Sequence, residues 1–209
     1  MLRHPWVKVI VFLGALAPAG ILGWRFWQQD LTPNPLEFIE HFTGDWTIRL
    51  LVITLSITPL RRLFRLPDLI RFRRMIGLFT FFYGSLHFLA WLWFDRLFNV
   101  HEIVRDVGKR PFITAGFTAL VLMLPLALTS TKRWIRRLGG RRWQALHRLI
   151  YISGIAAVVH YYWLVKSDIR LPVFYGSLVA VLLAARAIHW IAGRRVQENT
   201  AAGVRATSY

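Results

Sequence analysis

The sequence predicts an all-α integral membrane protein: six transmembrane helices in one domain, with both termini in the cytoplasm. Three observations carry that expectation. Hydrophobic residues make up 56% of 209, and the mean hydropathy is +0.43. Aromatic residues are used heavily, with 10 Trp and 15 Phe, well above the usage of soluble domains. The 27 Lys and Arg residues stand in short stretches between apolar runs, as in the loops of a membrane protein. The formal charge of +17 therefore marks orientation and contact with anionic lipid, and no nucleic-acid face is expected. There is no cysteine, which excludes disulfides, iron–sulfur clusters, thiolate ligands and a covalent c-type haem motif.

About 20 apolar residues cross ~30 Å of hydrocarbon. Six segments meet that length, at about 7–27, 46–64, 75–95, 112–130, 146–166 and 172–192, and 193–209 is left as a cytoplasmic tail. The first follows a basic start, "MLRHPWVK", and runs on to Arg25. Its apolar run is too long for a signal peptide and lacks a good cleavage site, so it is expected to stay as a span. The second is shortened by Arg49 and Pro59, although Arg49 can snorkel from the end.

Orientation follows from the basic residues. Arg61, Arg62, Arg65, Arg71, Arg73 and Arg74 fill the connection after the second span; Lys132, Arg133, Arg136, Arg137, Arg141 and Arg142 fill the one after the fourth. Arg194, Arg195 and Arg205 add to the tail. On the other side, "QQDLTPNPLEFIEHFTGD" has no Lys or Arg, the 95–111 loop mixes both signs, and the last loop has only Lys166 and Arg170. Positive residues remain inside, so both termini are cytoplasmic and three short loops face outward.

The histidines then sort by depth. His4, His41 and His101 fall outside the spans and read as solvated residues. His87 lies twelve residues into the third span, about 18 Å along its axis, and His160 fourteen residues into the fifth, about 21 Å. Two parallel helices thus carry imidazoles at nearly one level in the outer half of the bilayer, where a polar group is costly and usually functional. Two imidazoles facing each other at ~2 Å from a central metal suit six-coordinate haem iron. Gly77, Gly84 and Trp91 flank His87, and Ser153, Ala156 and Ala157 flank His160, leaving room for a flat macrocycle. The alternative is helix packing through small residues with histidine as interhelical hydrogen-bonding glue.

His147 sits at the cytoplasmic end of the fifth span, thirteen residues before His160. On an ideal helix the two rings are rotated by about 140°, so only a π-bulge or a bend would turn both toward one neighbour. His147 is either the ligand of a second haem, with His189 as its one intramembrane partner, or an interfacial hydrogen-bonding residue. Arg73, Arg74, Arg141, Arg142 and Arg148 could bind haem propionates or a flavin phosphate, or hold topology and touch lipid. Arg186, inside the sixth span, wants an anionic partner. No nucleophile–base pair or carboxylate dyad is visible, so no group obviously fit for substrate chemistry is found.

"IEHFTGDW", "ITPLRR", "IRFRRMIGLFTFFYGSLH", "LTSTKRW" and "LGGRRWQALHRLIYISGIAAVVHYYW" resemble, in order and spacing, the MsrQ (YedZ) family of the ferric-reductase-like transmembrane group. The resemblance covers roughly residues 5 to 192. It implies a multi-pass protein of the bacterial inner membrane with b-type haem, one or two per chain, and bound FMN. It implies electrons drawn from the quinone pool or a cytoplasmic flavin reductase. They would pass to a periplasmic molybdopterin methionine-sulfoxide reductase that repairs oxidised proteins. The family's haem-associated histidines fall on His87, His147 and His160, and its basic residue near the cofactor on Arg73 or Arg74. Larger relatives carry two histidines on each of two helices; here the third span has only His87. The rival expectations are a cytochrome b that reduces ferric chelates or quinone without a protein partner, and a non-redox membrane scaffold.

Overall fold

The computed structural model describes the backbone of residues 4–206 and the side chains of residues 4–192. Every regular element among them is helical: α1 (Pro5–Trp27), α2 (Pro35–Leu63), α3 (Ile70–Ala90), α4 (Val100–Lys109), α5 (Pro111–Leu128), α6 (Lys132–Leu138), α7 (Gly140–Leu146), α8 (Leu149–Leu164) and α9 (Arg170–Ala206). A short 3₁₀ turn, Pro67–Leu69, precedes α3, and a π-helical turn, Trp91–Asp95, extends it.

The starts of these helices follow local chemistry. Proline occupies the first turn of α1, α2 and α5, where its missing N–H is not needed. Asn34 accepts from the Glu37 N–H, Asn99 from the His101 and Glu102 N–H groups, and Thr131 from Trp134 N–H, which satisfies the free donors of each N-terminus. Gly139, at φ 74°, makes the corner between α6 and α7 in a conformation that costs glycine little.

Four helical stretches are long and apolar enough to cross a membrane: Pro5–Trp27, Pro67–Asp95, Pro111–Leu128 and Arg170–Ala192. They coincide with the first, third, fourth and sixth expected spans. The second corresponds to α2, which begins eleven residues before the expected start and carries Glu37, Glu40, Asp45 and Arg49 in its N-terminal half. The fifth corresponds to α8, only 16 residues long. Of the expected tail, residues 193–206 continue α9; the side chains of Arg194, Arg195 and Arg205 lie outside the described residues.

The core forms around α2. It packs most extensively on α3, while α5 packs on α8, and α9 touches both α2 and α8. Leu51 and Leu55 are almost fully enclosed between α2, α8 and α9, and Phe72, Ile76, Phe79 and Tyr83 of α3 close a second cluster against α1 and α2. In contrast, α1 buries only Ala15 and Pro18, and Trp6, Ile10, Phe12, Leu13 and Trp24 lie exposed on it. Such a surface suits lipid.

The fifth expected span is interrupted. α7 ends at Leu146 and α8 begins at Leu149, with His147 and Arg148 between them. The bend that a shared facing of His147 and His160 would require is thus a break in the helix. The π-helical turn occurs elsewhere, at the C-terminal end of α3.

Candidate cofactor site

A cavity of about 320 Å³ opens among the N-terminal half of α2, the C-terminal halves of α3 and α8, and α5, within the size range of small-molecule sites. Its deep wall is apolar, from Ile48, Phe88, Phe117, Leu120 and Met123, with Gly84, Ala119 and Ala157 giving width. Its lining also includes the polar side chains Glu40, His41, Asp45, Asp95 and Arg110, of which His41, Asp95 and Arg110 are exposed. Glu40 precedes the expected 46–64 span, and one of its carboxyl oxygens, Oε1, is buried without a hydrogen-bond partner. Burial, with the charge of Asp95 next, pushes that carboxyl up to about 7.

His87 from α3 and His160 from α8 both line this cavity. Their ring centres lie 6.0 Å apart, with planes inclined at 71°. Each Nδ1 faces a backbone carbonyl: His87 Nδ1 lies 3.0 Å from Glu40 O, and His160 Nδ1 2.7 Å from Phe112 O. Both rings must donate there, because a carbonyl only accepts. That assigns the Nδ1–H tautomer to both and leaves each Nε2 as the ring nitrogen with a free lone pair. A metal about 2 Å from each of two nitrogens, which lie about 1 Å from their ring centres, separates those centres by about 6 Å. The observed spacing fits.

The rest of the site limits which metal centre is possible. Among the described residues, no group of three or more His, Asp or Glu side chains converges to hold an ion. Two histidines alone therefore suit a metal whose other ligands come from a macrocycle. Gly44 and Gly116 allow the close approach: a Cβ would fall 3.3 Å from the His87 ring and 2.7 Å from His160 Nδ1.

The residues expected beside the two histidines divide. Gly84, Trp91 and Ala157 do line the cavity. Gly77 instead faces Thr54, and Ser153 is fully buried, donating to Ala119 O at 2.9 Å and tying α8 to α5. His41, expected to be merely solvated, stands at the mouth, 3.8 Å from the Glu37 carboxylate. Gly44, Gly116, Phe112 and the carbonyls of Glu40 and Phe112 were not anticipated. No motif announces them, since what matters is which helix an imidazole happens to face.

The remaining candidates lie away from this cavity. His147 stacks on Trp143 with ring centres 3.9 Å apart, its Nδ1 donates to Trp143 O at 3.1 Å, and its Nε2 is buried without a partner. Arg73, Arg74, Arg142 and Arg148 are not among the residues lining the cavity around His87 and His160. His189 is exposed on the surface of α9. The anionic partner expected for Arg186 is replaced by carbonyls: the guanidinium donates to Leu182 O and Leu55 O and lies over the Tyr151 ring at 5.4 Å.

A bundle with membrane-length apolar helices that brings two imidazoles to within 6.0 Å of each other defines a membrane protein with a candidate two-histidine site, and comparison with known families agrees. Residues 43–158, more than half of the chain, match the family described as ferric reductase like transmembrane component. The chain is 50% identical over 199 residues to the protein-methionine-sulfoxide reductase heme-binding subunit MsrQ of Herminiimonas arsenicoxydans, covering 94% of this chain and 91% of that protein. It is 50% identical over 206 residues to the same-named subunit of Xanthomonas campestris pv. campestris strain B100 (96% and 94% covered), and 48% identical over 186 residues to that of Bordetella pertussis (88% and 90% covered). The chain belongs to the MsrQ family. No solved structure matches it.

Proposed function

We propose that the chain is a b-type cytochrome of the bacterial inner membrane, the haem-binding electron-transfer subunit of a protein-methionine-sulfoxide reductase system. The observation that carries this reading is the His87–His160 pair, with ring centres 6.0 Å apart and both Nδ1 atoms already donating to carbonyls. The names of the relatives, each a heme-binding subunit, support it. When bound there, haem supplies a one-electron ferric–ferrous couple. The chain's own residues hold the iron from both faces, exclude water with the Phe88, Phe117 and Leu120 wall, and keep the site open outward past Glu40, Asp95 and Arg110.

In this reading all six helical segments cross the bilayer, α2 and α8 included, with both termini cytoplasmic. Electrons arrive at the inward end from the quinone pool or a cytoplasmic flavin reductase. There His147, Arg73, Arg74, Arg142 and Arg148 are the groups available to FMN, or to a second haem in the case of His147. They leave from the outward mouth to a periplasmic molybdenum-containing partner that performs the substrate chemistry.

An absorption spectrum of detergent-purified protein tests the first part: a Soret band that shifts on dithionite, with a sharp α band, is expected, and colourless helical protein would refute it. Iron and flavin per polypeptide test the cofactor set. Mixing reduced protein with a periplasmic methionine-sulfoxide reductase and, separately, with ferric chelate tests the partner. Faster oxidation by the reductase is expected; faster oxidation by the chelate favours a metal reductase.

A further inference from the structure

The two imidazoles are held by the same local device on two different helices. His87 Nδ1 faces Glu40 O of α2, and Gly44 stands four residues later; His160 Nδ1 faces Phe112 O of α5, and Gly116 stands four residues later. In an α-helix the N–H of residue i+4 bonds to the C=O of residue i. Each carbonyl therefore already has its helical donor and offers its second lone pair to the imidazole; the Thr43 hydroxyl also lies 3.2 Å from Glu40 O, but its shorter bond, 2.7 Å, is to Ile39 O. The direction from which a ring must come is the one that the side chain of residue i+4 would occupy. A Cβ on Gly116 would lie 2.7 Å from His160 Nδ1, 2.9 Å from Cε1 and 3.0 Å from Cγ; one on Gly44 would lie 3.3 Å from both Cε1 and Nδ1 of His87. The first contact is prohibitive and the second tight.

We infer that Gly44 and Gly116 are positioning residues for the two axial ligands: each removes one side chain from a helix so that an imidazole can give its Nδ1 proton to the carbonyl one turn earlier. The inference rests on the haem reading given above and adds to it a determinant of redox poise. A ligating imidazole that donates its other N–H to a carbonyl has a fixed tautomer and orientation and is the more basic ligand. A more basic axial ligand favours ferric over ferrous iron and lowers the reduction potential. A methyl group at residue 116 pushes the ring off Phe112 O, weakens the donor and raises the potential. The same change at residue 44 acts in the same direction with less force, because the contact there is 0.6 Å looser (3.3 against 2.7 Å).

The test uses full-length, haem-loaded protein in detergent, with haem per polypeptide and the midpoint potential measured for wild type, Gly116→Ala, Gly44→Ala and Gly176→Ala. The last is a control: a Cβ at Gly176 meets Val158 Cγ1 at 3.1 Å, so it presses on α8 without touching the ring. A positive shift is expected in Gly116→Ala, a smaller positive shift in Gly44→Ala, and none in Gly176→Ala. Selective loss of haem from Gly116→Ala, with helicity retained and Gly176→Ala fully loaded, also supports the inference, and Gly44→Ala then carries the potential measurement. No shift in the surviving glycine variants, a negative shift, or an equal shift in the control overturns it. Wild-type protein without haem, or haem whose spectrum survives His87→Ala and His160→Ala, would defeat the underlying reading instead.

Discussion

The Tyr83 hydroxyl bridges two backbone groups of α1: it donates to Ala15 O and accepts from Ala19 N–H, both at 2.9 Å. It does so at the turn containing Pro18, which has no N–H to give the ladder and loosens it. With Tyr83 fully enclosed, this is the main polar tie between the most peripheral helix and the core.

Tyr83→Phe keeps the ring and removes both bonds. A cost of about 0.5–1.5 kcal/mol is expected, because the tie between the helices is lost while Ala15 O and Ala19 N–H, four residues apart in one helix, can still bond each other. The thermal midpoint in detergent should fall while the haem spectrum stays that of wild type. An unchanged midpoint would show that α1 needs no such tie.

His87→Ala and His160→Ala should each abolish most haem binding, since either leaves the iron with one protein ligand. Pyridine haemochromogen content per polypeptide measures this. Both variants retaining a full complement would disprove the pairing.

His147→Ala should spare the haem held by His87 and His160, because His147 is stacked on Trp143 and lies outside their cavity. Loss of only part of the pigment would reveal a second, inward haem. Loss of all of it would contradict the assignment of the outward site to the other two histidines.

Arg96→Gln should open the outward loop. The guanidinium lies 3.1 Å from Asp95, 2.7 Å from Asp106 and 3.9 Å from Glu102, with its side chain 15% exposed. Removing it leaves the half-exposed Asp95 and Glu102 without this cation and Asp106 with Arg110 alone, at 3.3 Å, at a cost of about 1 kcal/mol. Amide exchange in α4 should accelerate while exchange in α2 and α3 does not; equal protection in both proteins would count against the cluster as a clamp.

Hydropathy determined the order of the apolar helices and the places of four of them, because a long apolar run satisfies its backbone groups internally as a helix; it did not set the length of α2, which begins eleven residues early, or of α8, which has 16 residues. It also set the common level of His87 and His160, since depth along a helix is a count of residues multiplied by a fixed rise. Which neighbour each ring meets was decided only in three dimensions. Direction around a helix turns by about 100° per residue, so one break, such as that at His147 and Arg148, reorients everything beyond it. The carbonyls of Glu40 and Phe112 lie 47 and 48 residues from their imidazoles, and the glycines that expose them 43 and 44 residues away. No local pattern links partners that far apart; packing of α2 on α3 and of α5 on α8 does.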